Sequence, residues 1–333
     1  MTPKNSAPGS RPYSILFDWG TTNLRAYLID DSGRMIDCYA AKLGVKHVSR
    51  DEYPSIIRRV AGEWVKQYAV ATIVLAGMVG GNLGWRDVPM VQSPAGAEQI
   101  AAGMFQVDLT EMPPVKIVPG VFCKSAAGLP GMMRGEEVQI LGAVAIARLS
   151  SGYLCLPGTH TKWVEVGEGK ILNIVTSMTG EMFDLITSYS VLADAMKDWD
   201  RQIDAAAFRD GLEIARSGLG ALQCIFITRV QQVIGEEQDL GRRASRLSGI
   251  LIGSEVLSML TSGFFGVNES VVIVGEMTLA GLYTEAVRFF GRTAAAIDSA
   301  KSFISGASLL LPAPSHVASP VSQDCARSPR EPA

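Results

Sequence analysis

The sequence predicts an α/β protein built from two duplicated halves, with a helical insertion in the second half. Three observations carry this expectation. Residues 15–40 (ILFDWGTTNLRAYLIDDSGRMIDCYA) and 154–176 (LCLPGTHTKWVEVGEGKILNIVT) share one plan: a short apolar run, Gly-Thr, a longer strand-like run, a glycine turn and a third strand. Residues 72–81 (TIVLAGMVGG) and 271–281 (VVIVGEMTLAG) form a second matched pair, each a buried-type strand entering a glycine turn. The interval from Gly20 to Gly77 is 57 positions and that from Gly158 to Gly275 is 117, so the second half carries a surplus of 60 residues.

The elements follow from local chemistry. Leu24, Ala26 and Leu28 alternate onto one strand face, and Trp163 and Glu165 oppose Val164 and Val166. The turns Asp30-Asp31-Ser32-Gly33 and Gly167-Glu168-Gly169 close each three-stranded antiparallel meander. Between the halves, Val138, Leu141, Ala145 and Leu149, with Ile140, Val144 and Ala147 alongside, predict a buried helix from Glu136 that ends before Ser150. The surplus falls at about 181–245, where FDLITSYSVLADAM, AAFRDGLEIARS and ALQCIFITRVQQVI are helical in pattern. Dimerisation and lid formation are both open as roles for it. The polar, Pro/Gly/Ser-rich stretches 1–13 and 313–333 are expected to be disordered tails. They flank an N-terminal domain at 14–148 and a C-terminal domain at 149–312.

Composition excludes several classes. Of 333 residues, 47% are hydrophobic, enough for a substantial core, so a disordered chain is excluded. Thirty basic residues against 33 acidic ones leave no excess to hold a phosphate backbone, so no nucleic-acid partner is expected. Five scattered cysteines and three histidines without ligand spacing argue against a disulfide framework or a zinc site. The opening MTPKNSAPGSRPYS has no apolar run, and no apolar stretch approaches the roughly 20 residues that span a bilayer. The expectation is a cytoplasmic protein without a membrane partner.

Three short motifs carry chemistry. In Asp18-Trp19-Gly20-Thr21-Thr22-Asn23 a strand ends in an aspartate and a tight turn follows. Bare glycine backbone and threonine hydroxyls suit an anion, and the aspartate suits Mg²⁺ held through waters beside phosphate oxygens. An ordinary hairpin with a backbone-bonded Asp fits the same residues. Pro157-Gly158-Thr159-His160-Thr161-Lys162 repeats the turn, and Lys162 offers a cation where a phosphate would lie. His160 reads as a hydrogen-bonded neighbour of the turn. Gly275 to Gly281 joins a buried strand to a helix at about Leu279, a geometry that serves an anion, a nucleotide or plain strand–helix packing.

Asp18-x-Gly-Thr-Thr, Gly158-Thr159 and the Gly275–Gly281 turn resemble, in order and spacing, the phosphate-1, phosphate-2 and adenosine motifs of the actin, sugar-kinase and heat-shock ATPase superfamily. The resemblance covers roughly residues 14 to 312. It implies two duplicated ribonuclease-H-like domains with ATP and Mg²⁺ in the cleft between them. A narrower resemblance is carried by LAGMVGGNLGW (75–85), VPGVF (118–122), MMRGEEVQILGA (132–143), LPGTHTKWVEV (156–166) and SMTGEMFDLI (177–186). These collinear blocks look like the 2-dehydro-3-deoxygalactonokinase family. Gly81-Asn82 departs from it, since a more polar pair is expected there. The family implies phosphorylation of the 6-hydroxyl of 2-dehydro-3-deoxy-D-galactonate in galactonate breakdown.

The resemblance also assigns roles. Related sugar kinases begin the connecting helix with Gly-Asp, and the Asp takes the proton of the acceptor hydroxyl. Gly135-Glu136 falls at that position, which implies Glu136 as base, with Glu137 the alternative. A glutamate that favours the helix dipole fits the same position. A sugar-acid carboxylate needs a cation, and Arg86, after Gly84-Trp85, or Arg134 would serve, if neither is spent in a salt bridge. Trp85 and Glu181 complete the expected substrate contacts. The rival readings are a kinase of 2-dehydro-3-deoxy-D-gluconate or another sugar acid, and a non-kinase ATP-binding regulatory member of the superfamily. A homodimer is open.

Overall fold

The computed structural model describes residues 12–124, 128–193, 199–266 and 268–312. The expected tails fall on residues 1–11 and 313–333, outside the described residues, except that the first strand already takes in Tyr13.

The first half opens with the meander β1 (Tyr13–Trp19), β2 (Leu24–Ile29) and β3 (Met35–Ala41). Helix α1 (Tyr53–Gln67) leads back to β4 (Val70–Gly77), which pairs parallel to β1. There follow β5 (Val91–Gln92), α2 (Ala97–Ala102), β6 (Phe105–Val107), β7 (Val115–Ile117), β8 (Val121–Lys124) and β9 (Pro130–Met133). The main sheet has the order β3-β2-β1-β4-β7-β6, and β5-β8-β9 form a small sheet of their own. The connecting helix α3 spans Glu136–Ala147.

The second half repeats the plan with β10 (Ser151–Leu156), β11 (Thr161–Gly167) and β12 (Lys170–Ser177). Helices α4 (Thr179–Tyr189), α5 (Ala205–Arg216), α6 (Ala221–Val233) and α7 (Leu240–Thr261) come next. Then β13 (Ser270–Gly275), α8 (Met277–Phe289), β14 (Thr293–Asp298) and α9 (Ser299–Leu309) close the chain. This sheet runs β12-β11-β10-β13-β14. Setting aside the extra edge strand β6, both sheets have the same order and the same mixture of antiparallel meander and parallel returns. The duplication read from the glycine turns is therefore a duplication of topology.

Strand alternation divides the core into layers. Leu24, Ala26 and Leu28 face outward onto Ile56, Ile57 and Trp64 of α1, while Tyr27 and Ile29 face the second half. Likewise Trp163 points to the outer core with Ile252 and Val256 of α7, and Val164 and Val166 point inward. Helix α7 thus takes the place α1 has in the first half, and the surplus lies ahead of it. The inner core is continuous across the halves and encloses Val138, Ile140 and Leu141 of α3 with Phe303 and Ala307 of α9. The burial predicted for the whole of α3 holds only for its first two turns: Ile146 is exposed. The small sheet docks on the second half, where Ala95 and Ile171 exchange backbone hydrogen bonds of 3.1 and 2.9 Å.

Candidate active site

Asp18 lies near the C-terminal end of β1, directly across from Arg25 of β2. Their ion pair is loose, at 3.8 Å, and the Asp18 side chain is only 18% exposed. Burial, with the nearby Glu136 carboxylate, pushes Asp18 up to about 6 despite Arg25. The turn that follows is closed by the Gly20 N–H donating to the Asn23 carbonyl at 2.9 Å. Gly44, Val45 and Lys46 donate their backbone N–H groups to Thr22, Gly20 and Thr21 carbonyls. A Cβ on Gly44 would collide with the Thr22 backbone, so only glycine permits this backing. The turn's carbonyls are used inward, and the Thr21, Thr22 and Asn23 side chains remain exposed.

The start of α3 abuts the end of β4. Gly135 has φ of 108°, and a Cβ there would lie 2.9 Å from the Cα of Gly77, itself at φ 95°. This contact carries Glu136 to the C-terminal ends of the parallel strands. The Arg134 N–H donates to Glu136 Oε2 at 3.1 Å. Burial raises Glu136, while Lys162 and His160 oppose the rise. Glu137 points the other way: it is fully buried, accepts the Gly135 N–H at 2.6 Å, and is pushed to about 8 by burial and by Glu136. Arg134 extends alongside, where Nη2 donates to the Val88 carbonyl at 3.0 Å. Its buried Nη1 has no hydrogen-bond partner and lies against Gly80.

In the second half, the Gly158–Thr159 turn lines a cavity of about 900 Å³ with Gly180 and Phe183 of α4 and Thr278 and Leu279 of α8. The volume lies within the usual range for small-molecule pockets. Glu276 caps α8 by accepting the Thr278 and Leu279 N–H groups at 3.1 and 3.3 Å. Helix α4 lies on the turn: Glu181 N–H donates to the Thr159 carbonyl at 3.0 Å, and Glu181 Oε2 is 2.6 Å from His160 Nε2. Lys162 is mostly buried on the inner face of β11, where its Nζ donates to Thr176 Oγ1 at 3.2 Å. Burial lowers Lys162, and Glu136 counteracts it.

Comparison with known proteins adds a second line of argument. The 2-keto-3-deoxy-galactonokinase family model matches residues 18–310. The chain belongs to this family. The 2-dehydro-3-deoxygalactonokinase of Escherichia coli (strain K12) is 31% identical over 294 residues, 88% of this chain and 95% of the relative. A Rhizobium meliloti (strain 1021) protein bearing the same enzyme name is 30% identical over 298 residues, 89% of this chain and 95% of the relative. A crystal structure from Sinorhizobium meliloti, again with that enzyme name, superposes with a TM-score of 0.81 at 28% identity, covering 90% of this chain and 98% of its own. Membership makes the protein a kinase, a phosphotransferase with an alcohol acceptor. No helix among the described residues is long and apolar enough to cross a membrane.

For a kinase of this family the expected residues sort into three groups. Asp18, Glu136 and Lys162 come together from both halves, since Glu136 perturbs the titration of each of the others. Gly158 and Thr159 line the cavity, whereas Gly20 to Asn23 lie outside that lining. Two positions, Trp85 and Gly281, stand elsewhere than expected. Trp85 is buried in the outer core of the first half and stacks on Tyr53 at 6.1 Å, so packing occupies its ring. Arg86 is exposed, with its guanidinium 5.8 Å from that ring. Gly281 is exposed on α8 and lines a separate groove with Arg209 and Glu285, because α8 begins at Met277 and Gly281 is already a turn further on. Gly275 ends β13, and a Cβ there would make only ordinary contact with Ala280 and Pro157 at 3.6 Å. Two cavity features were not singled out from sequence: the cap Glu276, visible as the lone acid in the GEMT turn, and Phe183, for which no local signal exists.

The donor set fits a divalent cation. Among the described residues no group of three His, Cys, Asp or Glu forms a cage. Two buried carboxylates, Asp18 and Glu136, are instead incompletely neutralised. That suits Mg²⁺, which takes one or two protein carboxylates and fills its other positions with phosphate oxygens and water.

Proposed function

We propose that the protein transfers the γ-phosphoryl group of ATP, with Mg²⁺, to the 6-hydroxyl of 2-dehydro-3-deoxy-D-galactonate. The observation that carries this reading is the convergence of Asp18, Glu136 and Lys162 from the two halves, beside a cavity floored by the Gly158–Thr159 turn. The enzyme name shared by the relatives supports the substrate.

ATP supplies the phosphoryl group and Mg²⁺ neutralises its oxygens. In the protein, Asp18 holds the metal, and the Gly20–Asn23 and Gly158–Thr159 turns offer backbone and hydroxyl donors to the phosphates. Lys162 balances charge between the halves. Glu136 accepts the proton of the acceptor hydroxyl; a carboxyl whose pKa burial raises is a better base than an ordinary one. The inward-turned Glu137 stays protonated and takes no part in the transfer. The half-buried Arg134 guanidinium, next to Glu136, attracts the carboxylate of the sugar acid. A neutral sugar forgoes that pairing, so neutral hexoses are poor acceptors.

An ADP-release assay tests this against a panel of 2-dehydro-3-deoxy-D-galactonate, its gluconate-derived epimer, glucose, glycerol and xylulose. Turnover should require a 2-keto-3-deoxy acid, and the product should carry phosphate on its terminal carbon. Preference for a neutral sugar would overturn the substrate reading.

Two finer points belong to the same reading. Cys38, Cys123, Cys155 and Cys224 are free, which suits a reducing cytoplasm. Leu222, Phe226, Val230 and Val233 recur on the exposed face of α6. Apart from Arg229, which donates to Gln232, that face is apolar, and a two-fold axis would pair it with itself, which supports a homodimer. Together with Leu219 and Ile234 it would bury on the order of 1,200 Å² across the pair, the lower bound for a stable interface. Sedimentation of the wild type and of Phe226→Glu tests this: a monomeric wild type would remove it.

A further inference from the structure

Helix α7 is apolar through its middle, and Glu255 is the one charged residue between Leu247 and Leu260. The residue is 7% exposed. A carboxylate in such a place needs polar neighbours on several sides, and Glu255 has them on four separate elements. Trp163 Nε1–H of β11 donates to Oε1 at 2.6 Å. The Tyr283 hydroxyl of α8 donates to Oε2 at 2.7 Å. Ser177 at the end of β12 and Thr179 at the start of α4 flank the carboxylate, and their hydroxyls oppose the rise in pKa that burial imposes on it.

Each of these partners adjoins a different part of the nucleotide side of the site. Trp163 follows Lys162, and strand alternation places the two on opposite faces, so anchoring the indole fixes where Lys162 points. Thr179 precedes Gly180, on which a Cβ would collide with the Gly158 carbonyl, and Glu181, whose N–H holds the Thr159 carbonyl. Tyr283 lines the cavity and reaches Thr161 Oγ1 at 2.9 Å. One carboxylate therefore links the strand of Lys162, the helix seated on the Gly158–Thr159 turn, and the helix that walls the cavity.

We propose that Glu255 is a positioning residue for the nucleotide: it clamps β11, α4 and α8 in the arrangement that ATP requires, without touching ATP. The inference rests on the ATP-dependent reading above. It predicts a larger effect on the nucleotide than on the sugar acid, because Glu136 and Arg134 lie outside the clamped elements.

The test uses full-length protein with Glu255→Met, Glu255→Gln and Tyr283→Phe. Binding of a non-hydrolysable ATP analogue is measured by calorimetry, KM by steady-state kinetics for both substrates, and Tm by thermal unfolding. Glu255→Met leaves the Trp163 donor buried without an acceptor and leaves the Tyr283 hydroxyl only Thr161 as a partner, and should weaken analogue binding about tenfold or more. It should raise KM for ATP in parallel while KM for the sugar acid stays within about twofold. Glu255→Gln keeps one acceptor and should recover most of the loss. Tyr283→Phe, which keeps the ring, should show a smaller shift in the same direction, and decides the matter if Glu255→Met does not fold. Wild-type analogue binding in both Glu255→Met and Tyr283→Phe, with only Tm lowered, would overturn the proposal. So would an equal rise in KM for both substrates. A wild type that binds no analogue would instead remove the ATP reading, and this inference with it.

Discussion

Asp18, Glu136 and Glu137 are three carboxylates in one region, and their surroundings separate their roles. Asp18 has only the loose Arg25 contact to offset its burial. Asp18→Asn is nearly isosteric, so the fold should persist, while turnover should fall to a small residue that added Mg²⁺ does not restore. Near-normal turnover would take Asp18 out of the site. Glu136→Gln should lower kcat roughly 10²–10⁴-fold with a smaller change in KM, as for a lost general base. Glu137→Gln should leave kcat within about an order of magnitude; if Glu137 is the sensitive one, the base is the neighbour. Glu137 has a signature of its own in stability. Its pKa is about 8 when folded, against an ordinary carboxyl value of 4.5. Across that window the folded state keeps a proton that the unfolded state has lost, so stability falls as pH rises through it. Glu137→Gln removes this dependence. Denaturant titrations at pH 5 and pH 8.5 should show the variant gaining on the wild type by roughly 2–4 kcal/mol at the higher pH, and a pH-independent difference would refute the assignment.

At the scale of elements, the crossing of α3 and α9 joins the halves. A Cβ on Gly142 would collide with the Ser302 carbonyl, and one on Gly306 with the Val138 carbonyl. The helices meet backbone to backbone, and neither side chain can move aside. Gly142→Ala or Gly306→Ala should therefore destabilise by roughly 1–3 kcal/mol or more despite the better helix propensity of alanine. Chemical denaturation measures this, and a neutral result would mean the crossing relaxes freely. This contact also shows where sequence reading stops. The meanders and glycine turns were legible because turn chemistry and strand alternation are local. The start of α3 at Glu136 was legible for the same reason. The partner of Gly142 lies 160 residues away in Ser302, and no local pattern names it. Trp85 looked available beside its glycines, but burial against Tyr53 is decided by α1. Gly281 looked like part of a turn, but the cap at Glu276 starts the helix early enough to carry it to another face.

At the scale of the whole molecule, the two-fold plan was legible and the cavity was not. The plan repeats in sequence, whereas the cavity wall is assembled from α7, α8 and the stretch with α4 and Trp199, and that stretch belongs to the surplus the first half lacks. The same asymmetry bears on motion. The phosphate turns belong to different sheets, Glu136 belongs to the element between them, and α3 and α9 approach backbone to backbone at Gly142 and Gly306. Small sliding at such a contact moves whole domains. A kinase gains from this motion, because a site left open to water would transfer phosphate to water. The wild type should therefore hydrolyse ATP slowly without sugar acid. Small-angle scattering should show a smaller radius of gyration with an ATP analogue and 2-dehydro-3-deoxy-D-galactonate together than with either alone. An unchanged radius in the ternary complex, with both ligands shown to be bound, would mean that the halves are already closed and that water is excluded by the substrate itself.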